Sequence, residues 1–248
     1  MTQTPKAILV TGAARRVGAA IATALHAAGA NVIVHCNRSR DEAAALVKSL
    51  NALRAKSAVV VQGDLLAYNA LKGLIEHAAS EFGRLDGLVN NASTFYATPM
   101  GGIDEDQWTD LIDSNLKAPL FLSQAAAPHL RKTRGAIVNI VDIHAERPLK
   151  NFSVYTTAKA GLAGLTRALA VELAPEVRVN GVAPGAILWP EGSGDFPSQE
   201  QQRITAQTPL QRTGSPEDVA TAVKMLMLDA PFVTGQILAV DGGRSLAL

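Results

Sequence analysis

A single cysteine, Cys36, is all that 248 residues contain. No internal disulfide can form and a thiolate metal cluster is excluded, so no metal site is expected. An excess of charge is also lacking: 23 Lys and Arg stand against 22 Asp and Glu, a formal net charge of +1. That balance projects no global field toward nucleic acid or an anionic membrane, and neither is expected as a partner. No apolar run approaches the roughly 18 to 20 residues of a membrane span. The opening stretch "MTQTPKAILVTG" lacks the basic and then long apolar pattern of a secretory leader. A cytoplasmic protein is the expectation. Internal repeats, low-complexity tracts and linkers are missing too, which argues for one domain over 1–248.

What is present is apolar material, 48% of the chain, arranged as short β-branched runs alternating with long Ala/Leu-rich amphipathic segments. Strands are predicted at 7–12, 31–36, 57–63, 86–92, 135–141, 177–185 and 235–243. Helical patterns fall near 16–28, 40–55, 67–82, 105–131, 153–174 and 215–228. Such alternation with short connections predicts an α/β fold: a doubly wound, seven-stranded parallel sheet with helices on both faces. The near-continuous apolar strands suit a sheet buried on both sides. Only 186–212, rich in Gly, Pro, Gln and Ser, breaks the pattern and reads as a substrate loop after a strand end.

In "LVTGAARRVGAAIATAL", Gly12 ends the first strand and Gly18 opens the first helix. Glycines there let the backbone approach a pyrophosphate at free helix N–H groups. The spacing is G-x5-G, and a plain tight strand–helix turn would also use it. The charge around it adds information. The second strand ends "HCNRS", with no carboxylate until Asp41 to hold a ribose 2′-hydroxyl. It offers His35, Arg38 and Ser39, and the first turn adds Arg15 and Arg16. Guanidinium forks suit a phosphate, so NADPH is expected rather than NADH. Asp64, closing the third strand, would accept from the adenine amino group. The two asparagines of "VNNAS" (89–93) would tie neighbouring strand ends together and hold the crevice open.

Further along stand Asn115, Tyr155 and, one helical turn later, Lys159. With TG-x5-G at 11–18, "NNA" at 90–92, "PG" at 184–185 and "DGG" at 241–243, the chain resembles the short-chain dehydrogenase/reductase family over essentially its whole length. The resemblance implies a Rossmann fold and hydride transfer with a nicotinamide cofactor. Tyr155 would be the proton donor, Lys159 would hold the nicotinamide ribose, and Asn115 would carry a water-linked proton relay. It also places Val17, Asn37, Leu65, Asn91, Ala92, Ser93, Pro184, Gly185 and Ile187 against the cofactor, and it suggests a homotetramer with interfaces from 105–131 and 153–174. Independently, i,i+4 spacing sets Tyr155 and Lys159 on one helix face, where a nearby ammonium, together with a cationic oxidised nicotinamide, is expected to favour the ionised phenol.

One position departs from the family pattern. Thirteen residues before the tyrosine, where most members place a serine, this chain has Asp142. An ionised carboxylate accepts hydrogen bonds, so it suits a substrate with N–H groups or a ring nitrogen to be protonated, and suits a plain ketone poorly. The resemblance narrows to pteridine reductases on TG-x3-R-x-G with Arg16, H-x-x-R-S at His35 to Ser39, "NNASTFYATP" with Ser93 and Phe95, and Asp-x12-Tyr-x3-Lys. It implies a pterin or folate substrate held by Ser93 and Phe95, with the proton carried by Tyr155 and Asp142. Arg16 would pair with the pyrophosphate or a substrate oxygen. Asp142 would equally serve as a cap and Phe95 as ordinary packing; Trp189 would line the pocket or anchor its loop. A carbonyl reductase of 3-oxoacyl thioesters is the alternative activity. A non-catalytic NADPH-binding regulator is the remote one, expected to have lost Tyr155 or Lys159.

Overall fold

The computed structural model describes residues 4–189 and 196–247. The β-branched runs form seven strands: β1 (Ala7–Val10), β2 (Asn31–Cys36), β3 (Ala58–Gln62), β4 (Gly87–Asn90), β5 (Ala136–Ile140), β6 (Arg178–Pro184) and β7 (Ile237–Val240). They lie in the order β3-β2-β1-β4-β5-β6-β7, and every neighbouring pair is parallel.

Side chains alternate across the sheet, as a period of two requires. Ile8 and Val10 join Val32, Val34, Val89 and Val138 in one apolar layer, while Ala7 and Leu9 join Ile33, Leu88 and Ile137 in the other. The first layer is covered by α1 (Arg16–Ala27), α2 (Arg40–Leu53) and α8 (Pro216–Lys224); the second by α3 (Leu71–Glu81), α5 (Ala118–Thr133) and the end of α6 (Ser153–Glu172). This is the doubly wound arrangement. The chain steps outward from β1 to β3 and then returns to β4 on the other side of β1, so a crevice opens beyond the carboxyl ends of β1 and β4.

Four elements differ from the sequence-based expectations. The segment 105–131 is not one helix: α4 (Glu105–Ile112) passes through a π turn, Asp113–Lys117, before α5 begins. A second π turn, Met225–Asp229, follows α8. The 186–212 segment is not irregular throughout. Ser198–Gln207 forms α7, because Gln, Glu, Arg and Ala are good helix formers and Ile204 anchors the helix at 4% exposure. The last predicted strand, 235–243, is shorter than expected, and a terminal turn, α9 (Arg244–Ala247), follows it.

Candidate active site

A cleft of about 580 Å³ lies beyond the strand ends. Its first wall is the turn after β1. Gly12 has φ of +60°, which favours glycine, and a Cβ on Gly18 would stand 2.3 Å from the Gly12 carbonyl oxygen. Both positions therefore need a residue without a side chain. The N-terminal turn of α1 has no acidic residue and no side-chain cap, so its free N–H groups are available to an anion. Arg15, Arg16 and Val17 line this wall, and Asn37, Arg38 and Ser39 line the end of β2. Arg15 also lies 3.8 Å from Glu42.

Asn91 buttresses the turn: its Nδ2 donates to the carbonyls of Thr11 and Gly12, while the N–H groups of Asn91 and Ala92 donate to Thr11 Oγ1. Asn90 ties β4 to β5 through Asn139 Oδ1 at 2.8 Å. The two asparagines thus join strand ends as expected.

His35 does not face the cleft. It is 1% exposed; its Nδ1 accepts from the Gly12 N–H at 3.2 Å, and its Nε2 lies 3.2 Å from the Gly63 carbonyl. That geometry requires a neutral ring protonated on Nε2, in keeping with a pKa pushed down to about 4, chiefly by burial. A phosphate-binding role is therefore replaced by a structural one. Asp64 stands beside this wall, bonded to the cleft-lining Asn37. Asp64 is exposed, accepting from Asn37 Nδ2 and from the Leu66 N–H, and Leu65 is buried in the α3 layer.

The far end of the cleft brings Ser93, Phe95, Asp142, Tyr155, Lys159, Pro184, Gly185, Ile187 and Trp189 together. Asp142 is both cap and partner: Oδ1 accepts from the His144 N–H at 2.8 Å, and Oδ2 accepts from the Tyr155 hydroxyl at 2.8 Å. Burial, and then the Asp142 charge, raise the Tyr155 phenol well above its usual value. The protein's own residues therefore hold the phenol protonated. Lys159 Nζ sits 5.7 Å from the Tyr155 ring centroid and donates to the Ile140 carbonyl at 2.9 Å. Burial lowers its pKa to about 8, against the pull of Asp142.

Asn115 stands within the π turn, fully buried behind the wall. Its Nδ2 donates to the carbonyls of Leu111 and Thr94, and its Oδ1 accepts from Ser93 Oγ at 2.8 Å. It therefore positions Ser93, which does face the cleft. Phe95 stacks on Phe152 at 4.6 Å and meets Tyr155 edge-on at 4.7 Å. Trp189 both lines the cleft and packs on Phe196 at 5.7 Å. The Leu188 and Trp189 carbonyls accept from Arg16 Nη2. Phe152 and Phe196 were not singled out in the sequence. Phe152 stands three residues before Tyr155, a spacing that signals a shared face; nothing around Phe196 marks it.

A family model described as enoyl-(acyl carrier protein) reductase matches residues 12–245. Pteridine reductase 1 of Leishmania tarentolae is 39% identical, with 99% of each chain covered. An uncharacterized oxidoreductase of Methylorubrum extorquens is 37% identical over 96% of this chain and 97% of its own. A 3-oxoacyl-(acyl-carrier-protein) reductase of Staphylococcus aureus is 36% identical with the same coverage. On its sheet order, its cleft and these matches, the chain belongs to the short-chain dehydrogenase/reductase family of nicotinamide-dependent oxidoreductases.

Proposed function

We propose that this protein is an NADPH-dependent reductase of the pterin ring, converting a dihydropterin or dihydrofolate to its tetrahydro form. The observation that carries this reading is the Asp142 carboxylate bonded to the Tyr155 hydroxyl at 2.8 Å. A carboxylate repels the lone pairs of a plain carbonyl oxygen but accepts from the amino and ring N–H groups that surround a pterin. The 39% identity to a pteridine reductase supports it.

The donor set fits a phosphorylated dinucleotide. The N-terminal turn of α1 would take the pyrophosphate, and Arg38, Ser39 and Arg15 would take the 2′-phosphate, where an acidic residue would select NADH. A bound nicotinamide supplies the hydride. The chain's own part is positioning and proton delivery. Lys159 would hold the nicotinamide ribose, and Tyr155, kept protonated by burial and by Asp142, would give its proton to the ring nitrogen beside the reduced carbon. Ser93, held by Asn115, and the Phe95 ring would orient the pterin.

A 3-oxoacyl thioester reductase is the second reading, favoured by the Staphylococcus aureus relative. One assay separates the two: oxidation of NADPH and NADH with dihydrobiopterin, dihydrofolate and a 3-oxoacyl thioester. Brisk pterin turnover with NADPH is expected. Background rates with both pterins, beside rapid thioester reduction, would overturn the proposal.

A further inference from the structure

Arg244 has no part in the reading above, yet it lines the same cleft as Asp142 and Tyr155. Its placement starts from a local conformation. Gly242 and Gly243 take φ of +63° and +85°, and a Cβ on either would stand 2.8 Å from Thr208 Cγ2 or 3.0 Å from Pro209 Cγ. Two successive left-handed glycines fold the C-terminal turn back against the end of α7. On the other side, Arg147 Nε donates to the Ser245 carbonyl at 3.1 Å, tying that turn to the segment that follows Asp142. Arg244 is thus held between α7 and the Asp142 loop.

There it is 4% exposed, and its Nη1 donates to the Ile204 carbonyl at 3.2 Å. Among the described residues, Arg244 makes no ion pair. The carboxylates whose fields reach it are already engaged: Glu200 is held by Arg203 through both oxygens, at 2.8 and 2.6 Å, and Asp241 accepts from the N–H groups of Gly243 and Ser245. Burial and the Arg203 charge both work against its ionised form. A guanidinium has five donors, no acceptor and a charge that it cannot shed. Burying one beside a cleft without an anion is unfavourable, unless an anionic ligand completes the pairing.

We infer that Arg244 is a specificity residue that binds a carboxylate on the substrate's side chain, so that the preferred substrate is an acid-tailed pterin of the dihydrofolate class rather than a neutral-tailed pterin. The inference rests on the pterin reading. A pterin carries its substituent on the same ring that is reduced, so a pterin whose reacting ring meets Tyr155 would place its tail in the cleft that Arg244 also lines. A single unpaired cation matches a carboxylate, whereas a phosphate monoester, near −2, would call for more than one.

The test measures kcat and KM for dihydrobiopterin, dihydropteroate and dihydrofolate with the wild type, Arg244→Lys and Arg244→Met. A charge-assisted pair is worth about 1.5–3 kcal/mol, or roughly 10- to 100-fold. The wild type should favour the acid-tailed substrates. Arg244→Met should lose about 30-fold more kcat/KM with them than with dihydrobiopterin, through KM, and Arg244→Lys should recover part of that loss. Equal losses on all three substrates, or a matching rise in the KM for NADPH, would overturn the inference while leaving pterin reduction standing. If no pterin is reduced by the wild type, the proposed function falls, and this inference with it.

Discussion

Asp142 accepts two hydrogen bonds at once, one from a backbone N–H that starts a turn and one from the Tyr155 phenol. Replacing it therefore tests chemistry against scaffolding. Asp142→Ser keeps an oxygen to cap His144 but removes the charge that holds the proton on Tyr155. Pterin reduction should fall about 100-fold in kcat, as for loss of a positioned proton-transfer group, while NADPH binding changes little. Equal losses in both, by steady-state kinetics and fluorescence titration, would mark a scaffolding residue. Lys159 makes a second prediction. Burial brings its pKa down to about 8, so the ammonium is present below that pH and is lost above it. If the charge is needed, kcat/KM should decline above about pH 8, and a profile flat to pH 10 would show that it is not. The residue types of this pair were legible in the chain, but their balance was not. Spacing placed Lys159 beside Tyr155, but the burial of the phenol and its bond to Asp142, which hold the proton in place, come only from the fold.

At the scale of elements, His35 joins three strand ends, linking the last turn of β2 to Gly12 after β1 and to Gly63 after β3. The ring is neutral in the fold, with a pKa near 4 against 6.5 in an exposed histidine. As pH drops from 6.5 to 4 the unfolded chain takes up a proton that the folded chain refuses. The stabilisation is thus complete above 6.5 and lost toward 4, by about 3 kcal/mol at most. Denaturant unfolding at pH 7 and pH 5 should show the decline, and His35→Gln should flatten it in part. Part will remain, because His26 is also shifted down by burial. Identical pH slopes in the two proteins would count against this account. Nothing in "HCNRS" separates a phosphate-binding histidine from a strand-end pin; only the backbone of the neighbouring turns does. The strands and most helices could be read because their apolar period is regular. The π turn at Asp113–Lys117 could not, since one extra residue per turn leaves composition unchanged while it redirects Asn115. The helix α7 was hidden because Ile204 is the one buried residue in its ten.

Over the whole molecule, large apolar side chains remain uncovered: Val171 at the end of α6 is 81% exposed, Trp108 on α4 is 48% exposed, and Phe232 before β7 is fully exposed. The homotetramer that the family resemblance suggests, with interfaces from 105–131 and 153–174, would cover Trp108 and Val171, so light scattering should give about four times the 26.0 kDa chain mass. A mass near one chain would set the tetramer aside. No described helix is long and apolar enough to cross a membrane. The last consequence concerns Arg16, which belongs to the turn after β1 yet donates to the carbonyls of Leu188 and Trp189. The two parts of the cleft proposed for dinucleotide and pterin are therefore joined through Arg16. Whatever free energy a bound dinucleotide passes to Trp189 through that contact, the second ligand returns to the dinucleotide in equal measure. Affinity for each should be quoted only with the occupancy of the other stated.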